Sequence, residues 1–194
     1  MSEFLKNNEA HLRTISFLKS EIIKKGYDWN TAKSKPIDAA LYANTQVQVG
    51  GSVDLLDGAT TEVRGTTNFN GNKLVKGRPA VINSIALGFA IGTPGQLPHA
   101  LDFDYSKTHH DLQFANLVMK QKDEVLIKLP ITSIVDSLKD GSKYRELSSL
   151  VLVEDESIID LTVEFPPQLV SKVPTGKVLF VSAMFQGHEV YLKR

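Results

Sequence analysis

The sequence predicts a mainly β protein: an antiparallel β-sandwich or barrel of about eight to ten strands behind one amphipathic helix. Three observations point there. The one long run of apolar residues at helical spacing covers residues 3 to 25. After Thr45 the chain turns to short apolar alternations, each closed by Gly, Pro, Asn or Asp. No self-similarity at 20 to 50 residues is present, which excludes a propeller or a solenoid. A chain of 194 residues suits one buried core, or one domain with an appendage.

The helix comes first. Phe4, Leu5, Leu12, Ile15, Leu18, Ile22 and Ile23 recur at spacings of three, four and seven among polar residues. Ser2 is an N-cap residue type, Glu3 complements the first turn, Lys24 and Lys25 the last, and Gly26 follows as the C′ residue. Such a stripe packs either on its own domain or on a neighbouring subunit. Leu5, Leu12, Ile15, Leu18 and Ile22 are the residues expected at a subunit interface. Glu3, Glu9 and Glu21 dilute the cationic face that a membrane-surface helix needs.

Residues 27 to 44 lose the period and read as an extended linker around Trp29, Lys33, Lys35, Pro36 and Tyr42. The expected organisation is therefore a helical arm over 1 to 26, a linker over 27 to 44, and a β domain over 45 to 194. Residues 1 to 35 hold seven Lys and Arg against four Asp and Glu. That surplus is small for a nucleic-acid-binding arm, because phosphate affinity scales with the number of neutralised contacts.

Within the β domain, TQVQV alternates with Val47 and Val49 on one face, and VDLL resumes after Gly50-Gly51. Residues 61 to 92 read as a central hairpin turning at Asn70-Gly71. Its second strand carries Val81, Ile82, Ile85, Leu87, Phe89 and Ile91, enough apolar surface for burial on both faces. Leu101, Phe103 and Tyr105 suggest a half-buried strand. Residues 114 to 119 and 124 to 129 suggest a hairpin turning at Lys122-Asp123, and a short helix fits between Thr132 and the Asp140-Gly141 turn. Strands follow at 147 to 153, 158 to 165, 178 to 185 and 190 to 192, the last two separated by a QGHE turn with His188 at the surface.

Composition narrows the chemistry. With no cysteine, disulfides, thiolate metal sites and a Cys nucleophile are excluded. Zero formal net charge gives no global field toward nucleic acid or anionic membrane. The N-terminal residues do not resemble a secretory signal, and no apolar run reaches the ~20 residues of a transmembrane helix. His99, Asp102, Asp104, His109, His110 and Asp111 form the densest group of ligating residues, yet adjacent side chains in a strand or loop diverge. VPTGKV lacks the first glycine of a phosphate loop, and the calcium-loop pattern from Asp136 fails at Leu138 and Leu147. Expected catalytic residues, metal ligands and cofactors are accordingly none. Trp29, Phe69, Tyr105 and Tyr144 would make a stacking platform if exposed, and are otherwise core or interface residues.

The arrangement resembles the single jelly-roll virion proteins of bacteriophage and viral capsids, through TTNFNGNKLVKGRPAVINSIALGF, LQFANLVMKQKDEVLIKLPI and VPTGKVLFVSAMFQGHEVYL. The resemblance implies a jelly-roll-like sandwich whose work is self-assembly into a shell. It also implies an N-terminal arm docked on neighbouring subunits, other virion proteins as partners, and location in the virion after synthesis in a host cytoplasm. Two other readings of the same architecture are a carbohydrate-binding or adhesive β-sandwich, and a cupin-like metal enzyme built on His99, His109 and His110.

Overall fold

The computed structural model describes residues 3–30, 34–135 and 142–192, with helix side chains from residue 9 onward. Helix α1 (Glu3–Lys25) precedes eight strands: β1 (Lys35–Val47), β2 (Ser52–Asp54), β3 (Ala80–Gly92), β4 (Asn116–Gln121), β5 (Glu124–Pro130), β6 (Arg145–Val153), β7 (Ile159–Glu164) and β8 (Val178–Tyr191). A short helix α2 (Ile131–Val135) lies between β5 and β6.

The strands form two four-stranded antiparallel sheets in the orders β1-β8-β3-β6 and β2-β7-β4-β5. Each of the pairs β4-β5, β3-β6, β2-β7 and β1-β8 is antiparallel, as in one long hairpin rolled over itself. That pairing, closed by β3-β8 and β4-β7, makes the fold a jelly roll. The expected mainly β sandwich behind one helix is what the chain adopts.

Between the sheets lies one core, filled by Leu117 and Met119 of β4, Ile159, Leu161 and Val163 of β7, Val181 and Phe185 of β8, and the inward residues of β3. Strand β3 keeps its apolar residues inward only by changing phase. Ala80 and Ile82 face the core, then Asn83 is an extra residue, and Ile85 and Leu87 face the core beyond it. On β6 the four residues from Leu147 to Leu150 lie opposite that one residue, since Ile82 pairs with Val151 and Ser84 with Glu146.

Local expectations are revised at five places. The supposed linker ends earlier, because β1 begins at Lys35 and pairs with β8 through thirteen residues to Val47. Long-range pairing there outweighs the weak local strand signal of KPIDAAL. The stretch before β3 is not a hairpin strand but a loop with isolated bridges such as Val63 to Thr67. Gly71 has positive φ, but the hairpin turn with two successive positive-φ residues is Lys122 (52°) and Asp123 (63°), between β4 and β5. Asp104 makes a single bridge to Phe89 in place of a strand over 101 to 105. Finally, QGHE is no turn: β8 runs through it, and Gly187 is there because a Cβ would lie 1.9 Å from the Val81 carbonyl oxygen. The short helix is α2, and the Asp140-Gly141 turn lies outside the described residues.

Candidate assembly face

Helix α1 packs on the outer face of the β1-β8-β3-β6 sheet. Strand residues that alternate away from the core meet it: Val81 of β3, Leu152 of β6 and Val190 of β8 surround Leu18, which is 1% exposed. Burying a leucine this fully contributes about 1.5–3 kcal/mol. Phe17, Tyr27 and Trp29 border the same cluster, with the last two rings stacked at 4.3 Å between centroids.

Two polar contacts fix the helix at either end. Toward its N-terminal half, the Thr14 hydroxyl lies 3.0 Å from Nδ1 of His188, and both residues are buried. Burial pushes the His188 pKa below its ordinary value and His11 adds to this, while Asp38 opposes it. At the C-terminal end, the buried Glu154 carboxylate accepts from Lys25 Nζ at 3.3 Å, from the Tyr27 hydroxyl and from Lys122 Nζ. Burial alone would raise the Glu154 pKa, but Lys122, Tyr27 and Lys25 hold it below the usual carboxylate range. The Gln121 side chain brackets the Glu154 backbone, donating to its carbonyl at 3.0 Å and accepting from its N–H at 2.8 Å.

The five expected interface residues separate on this geometry. Leu18 is consumed by the chain's own sheet, Ile15 and Ile22 are half-buried, and Leu12 is 60% exposed. The side chain of Leu5 lies outside the described residues. Ile23, 83% exposed, sits eleven residues after Leu12, so the two share one helix face about 160–180° from Thr14. One face is thus docked, and the opposite face presents Leu12, Ser16, Lys19 and Ile23.

Three of the four edge strands carry features that hinder strand addition. The Asn68 side chain pairs with β1 like a short strand, accepting from Tyr42 N–H and donating to Ala40 C=O at 2.8 Å each, and Thr66 C=O accepts from Asn44 N–H. Strand β2 has only three residues, while β5 carries an extra residue at Leu126 and ends in Pro130.

The ligating group of the β3–β4 connection does not converge. Asp111 is buried and accepts from Ser171 Oγ at 2.6 Å and Lys172 N–H at 2.9 Å, which anchors the β7–β8 loop. Burial would raise its pKa, but these donors and the neighbouring imidazoles lower it. Asp104 accepts from Ser106 and pairs with Lys107, and His109 packs on Phe89. Among the described residues no three His, Asp or Glu side chains form a metal-binding group. Of the aromatics, Phe69 is in the core and Trp29 against the helix, while Tyr105 and Tyr144 flank the Lys143 ammonium at 5.0 and 5.4 Å.

Sequence reasoning missed Thr14, Gln121, Lys122, Glu154 and His188 as the residues that seat α1. Only Glu154 carried a signal, as an acidic residue closing an apolar strand. Comparison of the chain with protein-family models, curated proteins and solved structures finds no match.

Proposed function

We propose that this chain is a structural virion protein, a capsid subunit that self-assembles, with its N-terminal helix contacting neighbouring subunits and no catalytic role. The observation that carries this reading is the two-faced helix. A helix already docked through Leu18 and Thr14 still displays Leu12 and Ile23 on its far side. Apolar residues on a second helical face fit a second partner, here another copy. The jelly roll supports the reading as a self-sufficient brick: among the described residues, its intersheet core contains none from α1. The hindered edges of β1, β2 and β5 support it too, since a shell of fixed geometry requires faces that meet in one way instead of strands that add indefinitely.

The test is the solution mass of the purified chain by light scattering, with negative-stain microscopy of the same peak. Rings, capsomers or shells are expected, and the double variant Leu12→Asp/Ile23→Asp is expected to abolish them while leaving the β circular dichroism signal and the melting transition intact. A wild-type chain that stays monomeric at the highest soluble concentration overturns the reading.

A further inference from the structure

Strand β6 is the edge of its sheet opposite β1, and among the described residues it pairs on one side only, with β3. It is nine residues long, contains no proline, and exposes Ser148 and Ser149 at its middle. We infer that two copies of this chain pair here, β6 against β6, antiparallel about a two-fold axis that sets Ser149 opposite Ser149. The contact rests on the self-assembly reading and is distinct from the α1 face.

The irregularity opposite Asn83 leaves β6 itself extended. Leu147, Val151 and Val153 pack toward the intersheet core, and Leu150 and Leu152 toward α1, which is an unbroken strand alternation. Leu147 to Leu150 have no register partner on β3. Both ends of the strand are anchored. Arg145 Nη1 donates to the Ser133 carbonyl at 2.9 Å and to its hydroxyl at 2.6 Å, and Gln121 brackets Glu154 just past the other end. A strand held in this way has little freedom left to lose on pairing.

Beside this edge the core reaches the surface. A cleft of about 130 Å³ between β5 and β6 is lined by the half-buried Leu126, Leu129 and Leu147 and by Val151. A second cleft of about 190 Å³ shares Leu126 and Val151 and continues to Phe17 and Lys24 of α1. An apolar seam running along an unpaired strand fits a partner that brings both a strand and apolar side chains. A second copy brings both, and with β1, β2 and β5 hindered, its β6 is the matching edge.

Symmetry fixes the register. A two-fold axis between antiparallel strands keeps the core-facing side of both copies on one side, so the axis passes beside a residue and not between two. Centred at Ser149, it sets Leu147 against the other copy's Val151 on the core side, which carries apolar packing across the junction. Arg145 then meets Val153, Glu146 meets Leu152 and Ser148 meets Leu150, so no like charges are opposed. Nine residues at a rise of about 3.3 Å give a contact about 30 Å long; over a sandwich depth of about 20 Å it covers on the order of 600 Å² per copy. That is the lower end of specific interfaces. Pairing consumes β6 on both copies, so association through this edge closes at two.

The test is analytical ultracentrifugation of the Leu12→Asp/Ile23→Asp chain, in which the α1 contact is removed. A dimer is expected, and adding Ser149→Lys, which sets two ammonium groups face to face, should weaken it on the order of tenfold or more. Ser149 is exposed, so the circular dichroism signal should not change. Because the chain has no cysteine, Ser149→Cys should give a covalent dimer under mild oxidation, and Ser148→Cys, on the other strand face, should not. A monomeric Leu12→Asp/Ile23→Asp chain overturns the inference, as does a dimer that Ser149→Lys leaves unchanged or cross-linking no greater at 149 than at 148. In each of those cases a wild type that forms shells still upholds the proposed function, whereas a monomeric wild type overturns both.

Discussion

The outer faces of the two sheets are opposites. On β1-β8-β3-β6 the outward residues Val81, Ala86, Ala90, Phe180 and Val190 are buried, under α1 at one end and under the β3–β4 connection at the other. There Tyr105 closes over Gly88 and donates to or accepts from Ser182 at 2.8 Å, and Leu101 reaches Gly92. On β2-β7-β4-β5 the outward residues are Ser52, Asp54, Asn116, Lys120, Asp160, Thr162 and Glu164, and they face solvent to varying degrees. Val118 is the exception, buried between its strand partners Lys128 and Thr162. The difference teaches that one sheet carries three layers of packing and the other two. Substitutions of the same chemistry should therefore cost very different amounts on the two faces.

The most severe break is expected at Gly187 on the covered sheet. Gly187→Ala drives a methyl into the Val81 carbonyl, backbone that has no room to yield, and should cost about 3 kcal/mol or more by chemical denaturation. Next is Leu18→Ala, which should cost about 2–3 kcal/mol through the lost methyl groups and the cavity beneath α1. Because Trp29 is the only tryptophan and borders that cluster, its emission should shift to longer wavelength before the β signal changes. An emission change coincident with global unfolding would show instead that α1 and the sandwich are one cooperative unit.

Glu154→Gln sharpens the comparison at the helix end, leaving Lys122 without its carboxylate and Lys25 with Glu124 alone. A loss of about 1–3 kcal/mol is expected, again with a Trp29 response. Acid should act on the same contacts. His188 and Glu154 both have lowered folded pKa values, so the unfolded chain binds more protons in their titration ranges and stability falls as pH falls. The His188 part is complete above its ordinary value of 6.5 and is lost as pH drops toward its folded value. The Glu154 part is lost further down, below the ordinary 4.5. Melting temperature measured from pH 7 to 4 should show the first decline in wild type and a shallower one in His188→Gln, because burial also lowers the pKa of His109 and its share remains. The smallest effect belongs to the open face: Thr162→Ala or Asp160→Ala should stay within about 0.5 kcal/mol of wild type.

Much of the fold was legible in the residues. Helix α1 announced itself by period and by Gly26, whose φ of 69° is the left-handed C-terminal residue expected. The double burial of β3 followed from its unbroken apolar run, and the β4–β5 hairpin from the polar turn between two apolar strands. The 61-to-71 stretch misled because Asn-Gly reports a tight turn but not the strands that flank it. The QGHE stretch misled because Gly and His next to polar residues resemble a turn, when Gly187 is a point of close backbone approach. The residues that seat α1 were hidden for a different reason: Thr14 and His188 are 174 positions apart, and Lys25 and Glu154 129 apart.

The sequence by itself determined the class of this protein, one amphipathic helix before many short strands, because period and turn chemistry are local properties of the chain. It also determined that thiol chemistry is absent. Which strands pair, where the bulge at Asn83 resets the phase of β3, and which face of α1 is docked were decided only by tertiary structure. Those outcomes depend on contacts between residues distant along the chain. There, burial of Leu18 against three strands and the meeting of Glu154 with two lysines outweigh any local preference.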